Sequence, residues 1–155
     1  MVAVTVLTPA YNRAHLLPHL YDSLAKQTCM DFIWLVVDDG STDDTEAYMH
    51  DIAQKAPFEV CYIKKTNGGK HTAVNLGVSR INTGLTFIVD SDDTLTPDAV
   101  EQIVTARNRY SGRGGLSGFC FLKVHENGKV VDGMFPQQET IGNYIKDRLN
   151  KNMWG

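Results

Sequence analysis

Apolar and polar positions along this chain follow two rhythms that take turns. Residues 2–7 form a short, β-branched apolar run and predict a strand. Leu16, Leu17, Leu20, Tyr21 and Leu24 then recur at helical spacing, with Pro18 tolerable near the helix start. Residues 32–37 are continuously apolar, as expected for a central parallel strand covered on both faces. Ser41 or Thr42 is placed to cap the next helix, with Asp43, Asp44 and Glu46 in its first turn. Residues 60–63 predict a third strand and Asn67-Gly68-Gly69 a loop. Ala73, Val74, Gly77, Val78 and Ile81 then make the apolar face of a helix. Residues 85–89 predict a fourth strand. Thr96-Pro97-Asp98 reads as an N-cap, a proline at the first helical position and an early acid, opening a helix to about Arg109. The order βαβαβαβα predicts an α/β fold: a mostly parallel sheet flanked by helices, with right-handed crossovers.

The rhythm changes after Arg113-Gly114-Gly115. Residues 116–124 predict a strand, Asn127-Gly128 a hairpin turn and residues 129–131 the return strand. Ile141, Ile145 and Leu149 mark a last helix from about Thr140. No internal repeat, low-complexity stretch or linker interrupts the chain, and 155 residues suit a single domain, 1–155. Asn152-Met153-Trp154-Gly155 lacks the polar fade of a natural terminus, so a fragment truncated before a further segment is expected.

Composition narrows the class only a little. The hydrophobic fraction of 43% and charged fraction of 21% are those of an ordinary soluble globule. A formal charge of −3 argues against electrostatic binding of nucleic acid. Lys64-Lys65 reads as a solvated strand end. Cys29, Cys61 and Cys120 lack metal-ligand spacing; Cys61 and Cys120 fall in apolar runs where a thiol acts as a small hydrophobe. A first strand starting at Val2 leaves no room for a signal peptide, and no apolar run reaches the ~20 residues that span a bilayer. The expected location is the cytoplasm, with membrane contact at most peripheral, at its cytoplasmic face.

The chemistry gathers where the strands end. Residues 2–7 run into Thr8-Pro9-Ala10-Tyr11-Asn12, residues 32–37 into Asp38-Asp39-Gly40-Ser41, and residues 85–89 into Asp90-Ser91-Asp92-Asp93. Acids just past a buried strand sit at the sheet's carboxyl edge, where ligands of open α/β sheets bind. Carboxylates gathered there repel one another unless a cation or donor-rich ligand holds them. Asp90-Ser91-Asp92-Asp93 suits Mg²⁺ or Mn²⁺, whose remaining ligands would be water and diphosphate oxygens. A plain polar turn explains an isolated Asp-x-Asp equally well, as does turn and cap chemistry for Gly40 and Ser41. Neither explains two adjacent acids directly after a buried strand. Tyr11 could stack on a base or simply pack. Arg13 could approach phosphates or be a solvated residue at a helix start. His15, His19, His50, His71 and His125 show no paired spacing and read as surface residues; Trp154 suits a core or an acceptor site equally.

In order and spacing, these motifs resemble the inverting, metal-dependent nucleotide-sugar glycosyltransferases of GT-A fold (family two), over roughly residues 2–110. Asn67-Gly68-Gly69-Lys70 belongs to the same match. The resemblance implies a GT-A-like, Rossmann-type sheet with a C-terminal β-hairpin and helix. It implies that Thr8, Pro9, Ala10 and Tyr11 line the base pocket, with Asn12 beside them. Asp39 would read the base edge and Asp38 be structural. Lys70 would lie near the diphosphate or ribose, and Asp90 and Ser91 near the ribose or sugar. Asp92 would bind the metal; Asp93 would assist it or hold donor-sugar hydroxyls. The implied reaction moves a sugar from a nucleotide diphosphate sugar, a UDP-sugar by family frequency, to an acceptor hydroxyl with inversion. Glycan, lipid-linked and protein acceptors all stay open, with polysaccharide biosynthesis one such role.

The family's catalytic base lies well downstream of the Asp-x-Asp turn. Here Glu126, Asp132, Glu139 and Asp147 are the acids in that direction, and none has a suitable context. The base is therefore expected beyond Gly155, leaving residues that bind donor but transfer sugar poorly. A non-catalytic nucleotide-binding module is the alternative. A nucleotidyltransferase would need a Gly-rich phosphate loop and following Arg after the first strand, and a phosphoacceptor domain an acidic pair there. Thr8-Pro9-Ala10-Tyr11-Asn12 is neither.

Overall fold

The computed structural model describes residues 3–112, 114, 118, 119, 121, 123–125 and 127–131. They fall into two compact units, Met1–Arg113 and Gly114–Gly155. In the first, strands and helices alternate: β1 (Val4–Ala10), α1 (Leu17–Ala25), β2 (Phe32–Asp38), α2 (Thr45–Lys55), β3 (Glu59–Lys64), α3 (Lys70–Arg80), β4 (Leu85–Ile88) and α4 (Ala99–Arg109). The sheet order is β3-β2-β1-β4 and every pairing is parallel. The α/β architecture expected from the alternation is what forms.

Both faces of the sheet are covered, which is why β1 is buried at all seven positions and β2 at all but Ile33. On one face Val4, Val6, Trp34 and Val36 pack with Leu17, Leu20 and Leu24 of α1, Met49 and Ile52 of α2, and Val100 and Ile103 of α4. On the other, Leu7, Leu35 and Val37 meet Ala73 of α3. The approach of α3 is close enough to demand glycine: a Cβ on Gly77 would stand 2.4 Å from Leu7 Cδ1. Leu7 is fully buried and cannot swing aside. Gly77→Val should cost about 2–3 kcal/mol, because overpacking outweighs the few tenths gained in helix propensity. Urea unfolding measures it, and a variant as stable as the parent would contradict this packing.

Local capping differs from the sequence expectation at α2. Its N-cap is Asp44, with no side-chain cap bond, because Ser41 and Thr42 are engaged elsewhere. The cap of α4 is likewise tertiary. Helix α4 begins at Ala99 rather than Pro97, and Gln27, buried past the end of α1, accepts from Val100 N at 3.0 Å and donates to Thr96 O at 2.8 Å. Thr28 N donates to Pro97 O, and Leu95 N to Ser23 Oγ. The segment after β4 is thus pinned by α1.

In the second unit the predicted hairpin turn is present. Val124 bridges antiparallel to Val130 around Gly128, whose φ of +79° the Asn-Gly turn requires. Residues 116, 117, 120 and 122 of the predicted 116–124 strand and the predicted last helix lie outside the described residues, as do Glu126, Asp132, Glu139, Asp147 and Trp154.

Candidate active site

The exits of β1, β2 and β4 meet at the carboxyl edge, and a cleft of about 180 Å³ opens between them. Pro9, Ala10, Tyr11 and Arg13 line it from β1, Asp39 from β2, Lys70 and Ala73 from α3, and Asp90, Ser91 and Asp92 from β4. Eight of the residues expected to bind nucleotide or metal thus share one cavity. Thr8, Asn12 and Asp93 are not among its lining residues. Thr8 is fully buried and its Oγ1 accepts from Trp34 Nε1 at 3.0 Å. Strand alternation turns it into the core, away from its neighbour Pro9.

Asn12 instead shapes the loop. Its φ of +54° is a left-handed conformation that Asn tolerates better than most residues. Asn12 N donates to Ser41 Oγ, and Asn12 Oδ1 accepts from Thr42 N at 2.9 Å. Ser41 in turn donates its N–H and hydroxyl to Asp38 Oδ1, and Tyr62 OH donates to Asp38 Oδ2. Asp38 is fully buried, so these donors replace the water it gave up. Burial, with Asp38 close by, holds the Tyr62 phenol protonated far above its ordinary range. This chain of bonds locks the β1 loop to the β2 loop and leaves the Tyr11 ring 46% exposed at the cleft.

Asp39 is held differently. Its N–H donates to Ala10 O, which sets it opposite the end of β1. Oδ1 accepts from Lys65 Nζ at 2.5 Å and Gly68 N at 3.0 Å; Oδ2 accepts from Gly69 N at 2.6 Å. Burial alone would push the Asp39 pKa up, but Lys65 and the two glycine amides outweigh it and bring it below 3.8. Lys65 is therefore not the solvated strand end its sequence suggested. The ladder runs one bond past β3, Lys65 N to Asp38 O, so Lys64 and Lys65 point to opposite sides. Lys64 turns out to Glu46 at 2.7 Å, while Lys65 turns in and is only 20% exposed. The amides of Gly68 and Gly69, read in the sequence as a plain loop, are aimed at Asp39.

The remaining groups are more open. Lys70 Nζ meets Asp90 Oδ1 at 2.6 Å with both side chains substantially exposed. Asp90, Asp92 and Asp93 each bring a carboxylate oxygen within 4.8 Å of the others, a hard-oxygen set that suits a divalent cation. Arg13 and Ala73 are the lining residues that sequence reasoning left undecided or took for core. The five histidines are all exposed and none lines the cleft. No helix among the described residues is long and apolar enough to cross a membrane.

A parallel sheet with its cleft at the carboxyl edge defines the ligand-binding arrangement of open α/β proteins. The particular family follows from comparison: the profile of Glycosyl transferase family 2 matches residues 5–143, and this chain belongs to that family. An uncharacterized glycosyltransferase of Rickettsia prowazekii is 30% identical over 97% of the chain and 45% of its own length. Chondroitin synthase of Pasteurella multocida is 38% identical over 63% of the chain and 10% of its own. Among solved structures, S. aureus TarS 1–349 in complex with UDP-GlcNAc superposes with a TM-score of 0.63 at 28% identity, covering 70% of this chain and 32% of that one. A mannosyltransferase from Pyrobaculum calidifontis, in complex with GDP-Man and Mn²⁺, gives 0.63 at 27%, covering 67% and 32%. The fold is GT-A-like, as the motifs implied. The chain spans less than half the length of these relatives.

Proposed function

We propose that this chain forms the donor site of a glycosyltransferase that moves a sugar from a nucleotide diphosphate, with inversion, to an acceptor hydroxyl. The observation that carries the reading is the single cleft uniting Tyr11, Asp39, Lys70, Asp90 and Asp92. The base stacks on Tyr11 and presents its edge to Asp39; the ribose lies against Asp90 and Ser91, and the diphosphate reaches toward Lys70 and Arg13. Asp92, with Asp90 and Asp93, would hold Mg²⁺ or Mn²⁺. When bound, such an ion draws off negative charge that grows on the departing diphosphate. Lys70 contributes to the same neutralisation after leaving Asp90. None of these carboxylates is assigned as the acceptor's base: Asp39 is tied down, and the other three form the cation set.

The solved relatives with UDP-GlcNAc and with GDP-Man and Mn²⁺ support a donor of this class, and family frequency favours UDP. Calorimetric titration of UDP tests it. Binding in Mn²⁺ that weakens at least about tenfold with chelator is expected, since an ion held by Asp92, Asp90 and Asp93 would supply positive charge against the diphosphate. If neither UDP nor GDP binds under either condition, the donor-site reading fails.

A further inference from the structure

The donor-site reading assigns the base edge to Asp39 but leaves open which bases that acid accepts. The surroundings of Asp39 answer this. A carboxylate offers about four lone-pair positions. Among the described residues, Lys65 Nζ, Gly68 N and, at a long 3.5 Å, Thr72 Oγ1 crowd Oδ1, and Gly69 N occupies one position on Oδ2. What remains is acceptor capacity on Oδ2, on a residue that is 3% exposed and borders the cleft. A buried group with acceptor capacity and no donor capacity distinguishes ligands by whether they bring a hydrogen.

Lys65 decides that character. Its ammonium also donates to Thr66 O at 2.5 Å and Thr72 Oγ1 at 2.8 Å, so its three protons are aimed at three fixed acceptors. Thr72 Oγ1 is anchored in turn on Gly69 O. The ammonium is thus held against Asp39 by the same turn that supplies the glycine amides. The other charged groups on this cleft are Arg13 on the β1 exit, Lys70 on α3, and Asp90 and Asp92 on the β4 exit. Of the cations, Lys70 pairs with Asp90 and Lys65 with Asp39.

We propose that Lys65 is a positioning residue: it fixes Asp39 as an obligatory hydrogen-bond acceptor, so that the site selects nucleotides whose base carries a ring N–H, as uracil and guanine do. Cytosine and adenine present a bare ring nitrogen there, lone pair against lone pair. This rests on the donor-site reading and deepens it.

The test is a titration of UDP, GDP and CDP, with Mn²⁺, into the parent, Lys65→Met and Lys65→Arg between pH 8 and pH 5. The parent should prefer UDP to CDP across the range. In Lys65→Met, the buried Asp39 loses its cation and takes up a proton as pH falls. Parent and variant are compared at each pH, so that titration of the diphosphate itself cancels. Their UDP affinity ratio should widen by about tenfold or more toward pH 5, and the preference for UDP over CDP should narrow as the protonated acid becomes a donor. Lys65→Arg should keep the parent's pH profile. A ratio that is large but flat with pH would reduce Lys65 to packing and overturn the proposal, as would equal UDP and CDP affinity in the parent. If the parent binds neither UDP nor GDP, the donor-site reading fails first and takes this inference with it.

Discussion

An Asp92→Ala variant should bind UDP in Mn²⁺ about a hundredfold more weakly than the parent, and chelator should then make no further difference. The reason is the geometry of the cluster. Asp92 is exposed, lines the cleft and lies within 4.8 Å of the carboxylate oxygens of Asp90 and Asp93. Asp90 is already engaged by Lys70 at 2.6 Å, so Asp92 is the less encumbered ligand on the cleft. Removing an exposed carboxylate from a repelling trio costs little or no stability. The variant should therefore unfold at the parent's urea midpoint, separating a lost ligand from a lost fold. UDP binding that keeps its full strength and its response to chelator in the variant would dissociate Asp92 from the metal.

Gly40→Ala should cost about 3 kcal/mol or more. Two independent penalties meet there. The φ of +82° belongs to the left-handed region, where a Cβ is disfavoured by about 1 kcal/mol. That Cβ would also stand 2.8 Å from Asn67 N and 3.1 Å from Lys65 O. Both are backbone atoms, so relief requires moving the segment that carries Lys65, Gly68 and Gly69 to Asp39. Stability and UDP affinity should fall together, the affinity loss persisting where the variant is still fully folded. A urea midpoint unchanged from the parent would mean that the β2 exit is looser than described.

Much of this was legible along the chain because it depends on near neighbours. Period and run length place β1, β2 and β4 and their helices, and an acid cannot stay inside a buried apolar strand, so the acidic motifs fall at strand ends. The partners of Asp39 were hidden by distance: Lys65 is 26 residues away and Gly69 30. Lys64 and Lys65 look alike in sequence, and only strand alternation past β3 sends one out and the other in. Thr8 belongs to the same motif as Pro9 and Tyr11, yet alternation turns it to Trp34. The cap of α4 is Gln27, 73 residues before Val100, where no local cap signal operates.

The strand order carries a consequence for how the protein is made. Of the four strands β1 is made earliest and soon finds β2, with Val4 beside Phe32, but its other partner begins only at Leu85. Until then the nascent sheet has an open, mostly apolar edge strand, the kind of template on which chains aggregate. Asp90 and Asp92 arrive later still, so the carboxyl-edge cleft is complete only after β4 has emerged. A ligand of the finished cleft would stabilise only the finished sheet, by mass action, and leave passage through synthesis to the speed of β4 or to a chaperone.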